Sequence, residues 1–171
     1  MSNDETGQGP VALSFEPDLS TKQKKGAHKP IYAEVFTQKP EKASKNTHVH
    51  LFVNPFAGKK KGKVIGEKVK SLLEENGKTV DIHFSNFSGH LIELSQGIQA
   101  SSDDIFAVVG GDGSLSEVIT GRMNAQQGGV FALIPAGTGN SQANDLQITS
   151  TEDAVSRIIR GNSQYIDLAR V

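Results

Sequence analysis

The sequence predicts an α/β domain built on a mainly parallel sheet with helices on both faces, and three observations carry that reading. From His48 onward, short apolar runs alternate with segments whose apolar residues recur at helical spacing. The links between them are short, which with the strict alternation implies a parallel sheet with helices on both faces. The run Ile105 to Val109 is continuously apolar and partly β-branched, as expected of a strand covered on both faces.

Taken in order, the first strand is expected at Val49 to Val53. It is followed by a helix in which Ile65, Val69, Leu72 and Leu73 share a face and which stops at Asn76-Gly77. A second strand spans Thr79 to Phe84, and a helix with Leu91, Leu94 and Ile98 on one side comes next. The third strand, Ile105 to Val109, runs through Gly110-Gly-Asp-Gly113 into a helix carrying Leu115, Val118, Ile119 and Met123 on one face. Val130 to Ile134 forms the fourth strand, ended by Pro135. Ser150 opens a helix bearing Val155, Ile158 and Ile159 that closes at Arg160-Gly161, and Gln164 to Val171 reads as a further strand.

Residues 1–47 differ. They are poor in large apolar residues, hold four prolines and the basic cluster Lys22-Gln-Lys-Lys25, and read as a polar, disordered arm. Within it, Ile31 to Phe36 reads either as an edge strand or as a linker. The chain therefore divides into an arm, 1–47, and one globular domain, 48–171, and 171 residues suffice for a single real core.

Composition excludes several functions. A formal net charge of −1 and an isoelectric point near 6.5 argue against a general nucleic-acid surface. The absence of cysteine removes disulfides, thiolate nucleophiles and zinc-thiolate sites, and fits a cytoplasmic protein. Met1 to Pro10 lacks the apolar core of a secretory signal, and no apolar run approaches the roughly 18 residues of a membrane span, so any membrane contact is expected to be peripheral.

The chemistry gathers at the ends of strands. After the first strand comes Asn54-Pro-Phe-Ala-Gly58, after the third Gly110-Gly-Asp-Gly113, and after the fourth Pro135-Ala-Gly-Thr-Gly-Asn140. In a parallel sheet these turns lie on one edge, where ligands bind. Glycines let backbone N–H groups approach a polyphosphate, to which the Thr138 hydroxyl and the Asn54 and Asn140 amides add donors. Asp112 is the one carboxylate in the glycine cradle, with little structural reason to be there. Ser114 and Glu117 have the spacing of a helix capping box. Lys59, Lys60, Lys61 and Lys63 read first as a solvated basic face and second as phosphate attraction. His90, at a helix start, reads as a cap or packing residue. Gly58 and Gly62-Lys63 are one residue too close for a P-loop, and Val64 replaces its Ser or Thr. Gly111-Asp-Gly113-Ser-Leu-Ser116 lacks the last glycine of a dinucleotide fingerprint.

These motifs, over roughly His48 to Val171, resemble the N-terminal nucleotide-binding domain of the diacylglycerol kinase and sphingosine kinase family of lipid kinases. Asn54 to Gly58 matches that family's Asn-Pro-x-Ser/Ala-Gly turn. Gly110 to Val118 matches its Gly-Gly-Asp-Gly-Thr-x-x-Glu-Val signature with Ser114 in place of Thr, and Gly121 falls where its helix also carries glycine. Ser85 with Gly89-His90, and Pro135 to Asn140, match two further motifs. The resemblance implies a three-layer α/β/α sandwich similar to the phosphofructokinase and NAD kinase-like fold. It implies ATP and Mg2+ as cofactors and a lipid hydroxyl of diacylglycerol, sphingosine or ceramide type as acceptor. Contacts to the nucleotide are implied for Asn54, Gly58, Ser85, Gly110, Gly111, Gly113, Ser114, Glu117, Gly137, Thr138 and Asn140. Asp112 is implied as the catalytic residue, orienting the metal directly or through water, or helping to deprotonate the acceptor. The family's second, β-rich domain is absent from these 171 residues, so the expectation is a fragment lacking the lipid-binding half. The Gly-Gly-Asp-Gly start leans toward diacylglycerol or ceramide as acceptor, whereas Ser141 leans toward sphingosine. The alternatives are a noncatalytic nucleotide-binding or interaction module and, third, a soluble kinase of NAD-kinase type.

Overall fold

The computed structural model describes residues 12–15, 48–161, 163–165 and 168. In chain order the elements are β1 (Ala12–Phe15), β2 (His48–Val53), the short turn α1 (Ala57–Lys60), α2 (Gly62–Glu75), β3 (Thr79–Phe84), α3 (His90–Gln96), β4 (Ile105–Gly110), α4 (Asp112–Asn124), β5 (Gly129–Pro135), α5 (Ser141–Asp145), α6 (Thr151–Arg160) and β6 (Ser163–Tyr165). The strands form one sheet of order β3-β2-β4-β5-β1-β6. β3, β2, β4 and β5 are mutually parallel, as the alternating pattern requires.

Two features depart from the sequence-based expectation. Ala12–Phe15, inside the segment read as an arm, pairs antiparallel with β5. β6 then pairs parallel with β1, so it runs against the four central strands instead of extending them. Backbone pairing to an open sheet edge favours an extended segment whatever its sequence distance, which periodicity cannot foresee. The Ile31 to Phe36 reading lies outside the described residues.

Alternation along β2 explains the layers. Leu51 and Val53 face α2, where a Cβ on Gly66 would lie 2.7 Å from Val53 Cγ2, so only glycine permits this approach. α6 lies beside α2 and is tied to it by a Lys68 Nζ to Glu152 Oε1 contact of 2.6 Å. The opposite face carries Phe52, Phe106 and Phe131, whose rings are spaced 6.0 and 5.8 Å apart. Against it lie α3 and α4, crossing so closely that a Cβ on Gly121 would sit 2.0 Å from Ser95 Oγ. Helices thus cover both faces, giving the three layers, and β4 is buried along its whole length. Burying a side chain such as Phe106 or Leu133 stabilises the domain by about 1.5–3 kcal/mol.

The helix ends follow the expected chemistry. Ser150 accepts the Asp153 N–H at 3.1 Å to start α6, and Gly161 ends it at φ 71°. Gly77, at φ 79°, terminates α2. Arg122, by contrast, is fully buried on the apolar side of α4. It donates to the carbonyls of Ser95, Ile98 and Gly128 and to Gln127 Oε1, and lies 4.3 Å from the Phe106 ring centroid. The guanidinium so satisfies a carbonyl in the last turn of α3 and carbonyls in the loops that follow α3 and α4. Among the described residues, no helix is long and apolar enough to cross a membrane.

Candidate nucleotide site at the strand ends

The parallel register brings the carboxyl ends of four strands level: Phe84 pairs with Val53, Val53 with Val109, and Gly110 with Pro135. The ladder continues into the turns. Ser85 N–H donates to Val53 O at 2.9 Å, Asn54 N–H to Val109 O at 3.1 Å, and Ala136 N–H to Gly110 O at 2.8 Å. Ser85, Asn54 and Ala136, which open three of the turns, are therefore held by continuations of the sheet ladder.

In the first turn, Asn54 Oδ1 accepts the Phe56 N–H at 3.0 Å, and Asn54 Nδ2 reaches toward Ser114 Oγ at 3.5 Å. The chain then winds left-handed through Gly58, Lys59 and Lys60 at φ 59°, 57° and 69°. A left-handed lysine is disfavoured by roughly 1–2 kcal/mol, so this bend is imposed by its surroundings. One such constraint is visible, since a Cβ on Gly58 would lie 2.9 Å from Ala136 O. Lys59, Lys60, Lys61 and Lys63 are all exposed, as expected of a solvated basic face.

The third and fourth turns interlock. A Cβ on Gly111 would come within 2.8 Å of Gly139 O, and one on Gly137 within 2.7 Å of Gly111 Cα. Gly110 is equally confined, with Ser114 Cβ at 2.6 Å from its hypothetical Cβ. Gly113 is different: nothing lies within 4 Å of where its Cβ would stand. Asn140 Nδ2 donates to Gly137 O at 3.0 Å, while its Oδ1 is buried and lacks a hydrogen-bond partner. Thr138 is exposed beside it.

The two carboxylates hold neighbouring elements in place. Asp112 accepts the Ser141 N–H at 2.9 Å and the Gln142 N–H at 3.2 Å, tying the start of α4 to the start of α5. Glu117 accepts the Gly89 N–H at 3.0 Å and the Leu91 N–H at 3.3 Å, so it caps α3. This corrects the capping-box expectation for Ser114 and Glu117. α4 starts at Asp112 with Gly111 as its cap residue, which leaves Ser114 inside the helix and Glu117 pointing across to the next one. His90 behaves as expected of a packing residue, since its Nδ1 accepts the Asn86 N–H at 3.1 Å and its ring stacks 4.6 Å from Phe87.

Asn54, Ser85, Ser114 and Glu117 line one cleft of about 230 Å³, together with Phe56, Phe87, Ser88 and Leu91. Gly111, Gly137 and Asn140 meet where the third and fourth turns interlock. Asp112 and Thr138 are not on the cleft wall, and Asp112 faces α5. Sequence reasoning passed over Phe56 and Phe87, although an aromatic residue in a glycine-containing loop was the available signal. They are 63% and 55% exposed, an unusual state for Phe that places apolar surface at the cleft mouth.

The fold and site thus define an α/β domain of parallel strands whose carboxyl ends carry interlocked glycine turns, the edge at which such sheets bind ligands. Residues 48–171 match the family model for the diacylglycerol kinase catalytic domain, and the chain belongs to that family. It is 29% identical over 168 residues to sphingosine kinase 1 of Arabidopsis thaliana, covering 92% of this chain and 33% of the relative. Ceramide kinase of Mus musculus is 30% identical over 147 residues, covering 75% of this chain and 28% of that protein. A solved putative diacylglycerol kinase from Bacillus anthracis str. Sterne superposes with a TM-score of 0.60 at 27% identity, covering 68% of this chain and 42% of that one. The chain thus spans about a third of the length of these curated relatives.

Proposed function

We propose that this domain binds ATP across the strand-end turns and serves transfer of the γ-phosphoryl group to a lipid hydroxyl. The observation that carries the reading is the interlocking of the Gly110–Gly113 and Pro135–Asn140 turns beside a cleft that also holds Asn54, Ser85, Ser114 and Glu117. In this reading the phosphates lie over Gly111, Gly113, Gly137 and the left-handed turn at Gly58, whose backbone N–H groups meet phosphate oxygens. Thr138 and Asn54 supply side-chain donors at the rim. Phe56, Phe87 and Leu91 offer an apolar wall suited to a purine ring.

Phosphoryl transfer depends on positioning and on charge neutralisation, which preorganised N–H donors provide. The donor set suits Mg2+, a hard cation that prefers oxygen ligands. Each Asp112 oxygen accepts one backbone N–H and keeps a further lone pair, so the carboxylate would hold the ion directly or through water. The buried, unpartnered Asn140 Oδ1 is a second oxygen acceptor close to the turn, 3.1 Å from the hypothetical Cβ of Gly137. When bound, Mg2+ supplies charge compensation for the phosphates. Asp112 fixes the mutual position of the start of α4 and the start of α5, between which the Pro135–Asn140 turn runs.

The relatives named as sphingosine, acylglycerol and ceramide kinases support a lipid acceptor. The test combines calorimetric titration of ATP with Mg2+ and a labelled-phosphate transfer assay on diacylglycerol, sphingosine and ceramide in mixed micelles, on a protein extended past Val171, as wild type and as Asp112→Asn. The expected result is Mg2+-dependent transfer that Asp112→Asn lowers by two or more orders of magnitude with ATP binding retained. Comparable turnover by both proteins removes Asp112 from the chemistry. A second reading, a noncatalytic nucleotide module, is favoured by one observation: both Asp112 oxygens already hold α5. ATP binding without transfer to any of the three lipids would select it.

A further inference from the structure

We propose that His48, His50 and Asp81, backed by Asp104, form a site for one divalent transition-metal ion of the Zn2+ class at the amino-terminal edge of the sheet. This edge is opposite the strand-end turns, so the site is separate from the nucleotide cleft.

Strand periodicity creates it. His48 and His50 alternate along β2 and therefore project from the same face, with ring centroids 4.4 Å apart. β3 pairs His50 with Asp81 on one side, and Asp104 leads into β4 on the other. Two imidazoles are thus flanked by two carboxylates contributed by both neighbouring strands. His48 Nε2 lies 2.9 Å from Asp81 Oδ2, and Asp104 Oδ2 lies 3.4 Å from His50 Nε2 and 3.7 Å from His48 Nδ1.

One ligand atom from each of His48, His50 and Asp81 falls within 4.8 Å of the others. A tetrahedral ion with bonds of about 2.0–2.1 Å separates its ligand atoms by roughly 3.4 Å, which modest side-chain rotation reaches from here. His48 and Asp81 are partly exposed, at 35% and 57% of their side-chain surface, so they can rotate and an ion can enter.

The buried member gives the independent indication of a ligand. His50 is only 5% exposed, and its Nδ1 is buried with no hydrogen-bond partner. Asp104, itself held by the Ser101 N–H at 3.1 Å, takes the other ring nitrogen. A carboxylate on one nitrogen of an imidazole is the usual orienting partner of a metal-bound histidine, and it leaves the second lone pair free for an ion. Two imidazoles with carboxylates favour Zn2+, Co2+ or Ni2+ over Mg2+ or Ca2+, which prefer all-oxygen sets. An ion here would pin β2 to β3 at the end remote from the nucleotide.

Calorimetric titration of ZnCl2 into the EDTA-treated, dialysed 171-residue protein at pH 7.5, with thermal unfolding in parallel, tests the assignment. Expected are one ion per chain and a higher melting temperature with Zn2+, with no matching effect of Mg2+. His48→Ala and Asp81→Asn, both at partly exposed positions, should each weaken binding at least tenfold and lose the thermal shift while keeping the wild-type circular dichroism. Asp104→Asn should weaken binding 10–100-fold as an orienting residue. No saturable Zn2+ binding by the wild type overturns the proposal, as does unchanged affinity in both His48→Ala and Asp81→Asn. Equal binding of Mg2+ overturns the assignment to transition metals.

Discussion

Gly113 separates a ligand-imposed glycine from a packing glycine. It is the second residue of α4, its φ is not positive, and no heavy atom lies within 4 Å of a Cβ built on it. Neither backbone strain nor packing therefore demands glycine. Gly113→Ala should stabilise the apo protein by about 0.5–1 kcal/mol through helix propensity and unfolded-state entropy. For a chain of this size that raises the melting temperature by roughly 1–4 °C. If phosphates approach this backbone, the added methyl should weaken ATP by about tenfold, or 1.4 kcal/mol. The control is Gly111→Ala, whose Cβ would lie 2.8 Å from Gly139 O. Its extended φ of −114° suits alanine, so the clash alone decides, and overpacking should cost about 1–3 kcal/mol. Thermal unfolding and ATP calorimetry on both variants give the answer. A destabilised Gly113→Ala would show that packing requires this glycine, and unchanged ATP affinity would refute the phosphate cradle.

Three further outcomes follow from the geometry. Glu117→Gln keeps one acceptor oxygen for two N–H donors, so it should cost about 1–2 kcal/mol and raise amide exchange at Gly89 and Leu91, measured by hydrogen exchange. Arg122→Met strips four acceptors of their donor in the core and should cost about 3 kcal/mol, read from the urea midpoint. In EDTA, burial holds the His50 and His83 rings below their ordinary value of 6.5, with His50 further lowered by its neighbour His48 and His83 by His50. The unfolded chain then takes up protons first, so stability is full above pH 6.5 and falls as the pH drops below it. Urea midpoints between pH 7.5 and 5.5 should decline, less steeply in His83→Phe, and a rise on acidification would contradict this. The lowered Asp81 carboxyl, bonded to His48, acts only in a more acidic range.

The central sheet was legible because its signals are local. The apolar run of β4, the helical spacing of Val69 and Leu73 and the glycines at 77 and 161 each act within a few residues. The turns were legible for the same reason, and parallel pairing alone placed them on one edge. Partners distant in sequence were not. Glu117 satisfies donors 26 and 28 residues away, so its local spacing from Ser114 suggested the wrong cap. Arg122 looks like a surface cation until the carbonyls at the end of α3 are placed beside it. The pairing of Ala12–Phe15 with β5 joins segments more than a hundred residues apart, a contact that no periodicity encodes. The histidines of β2 were equally silent, because their meaning lies in Asp81 and Asp104 on neighbouring strands.

The two carboxylates of α4 hold different neighbours, Asp112 the start of α5 and Glu117 the start of α3. One rigid helix therefore acts as a common axle for the loops on either side of it. A displacement of the glycine turn at its head is transmitted to both flanking loops through hydrogen bonds. The shape of this edge is then inherited as a unit. Sequence drift or deliberate redesign can decorate the outer surface of each loop independently, but reshaping the opening itself requires coordinated change at α4 and both helices it restrains.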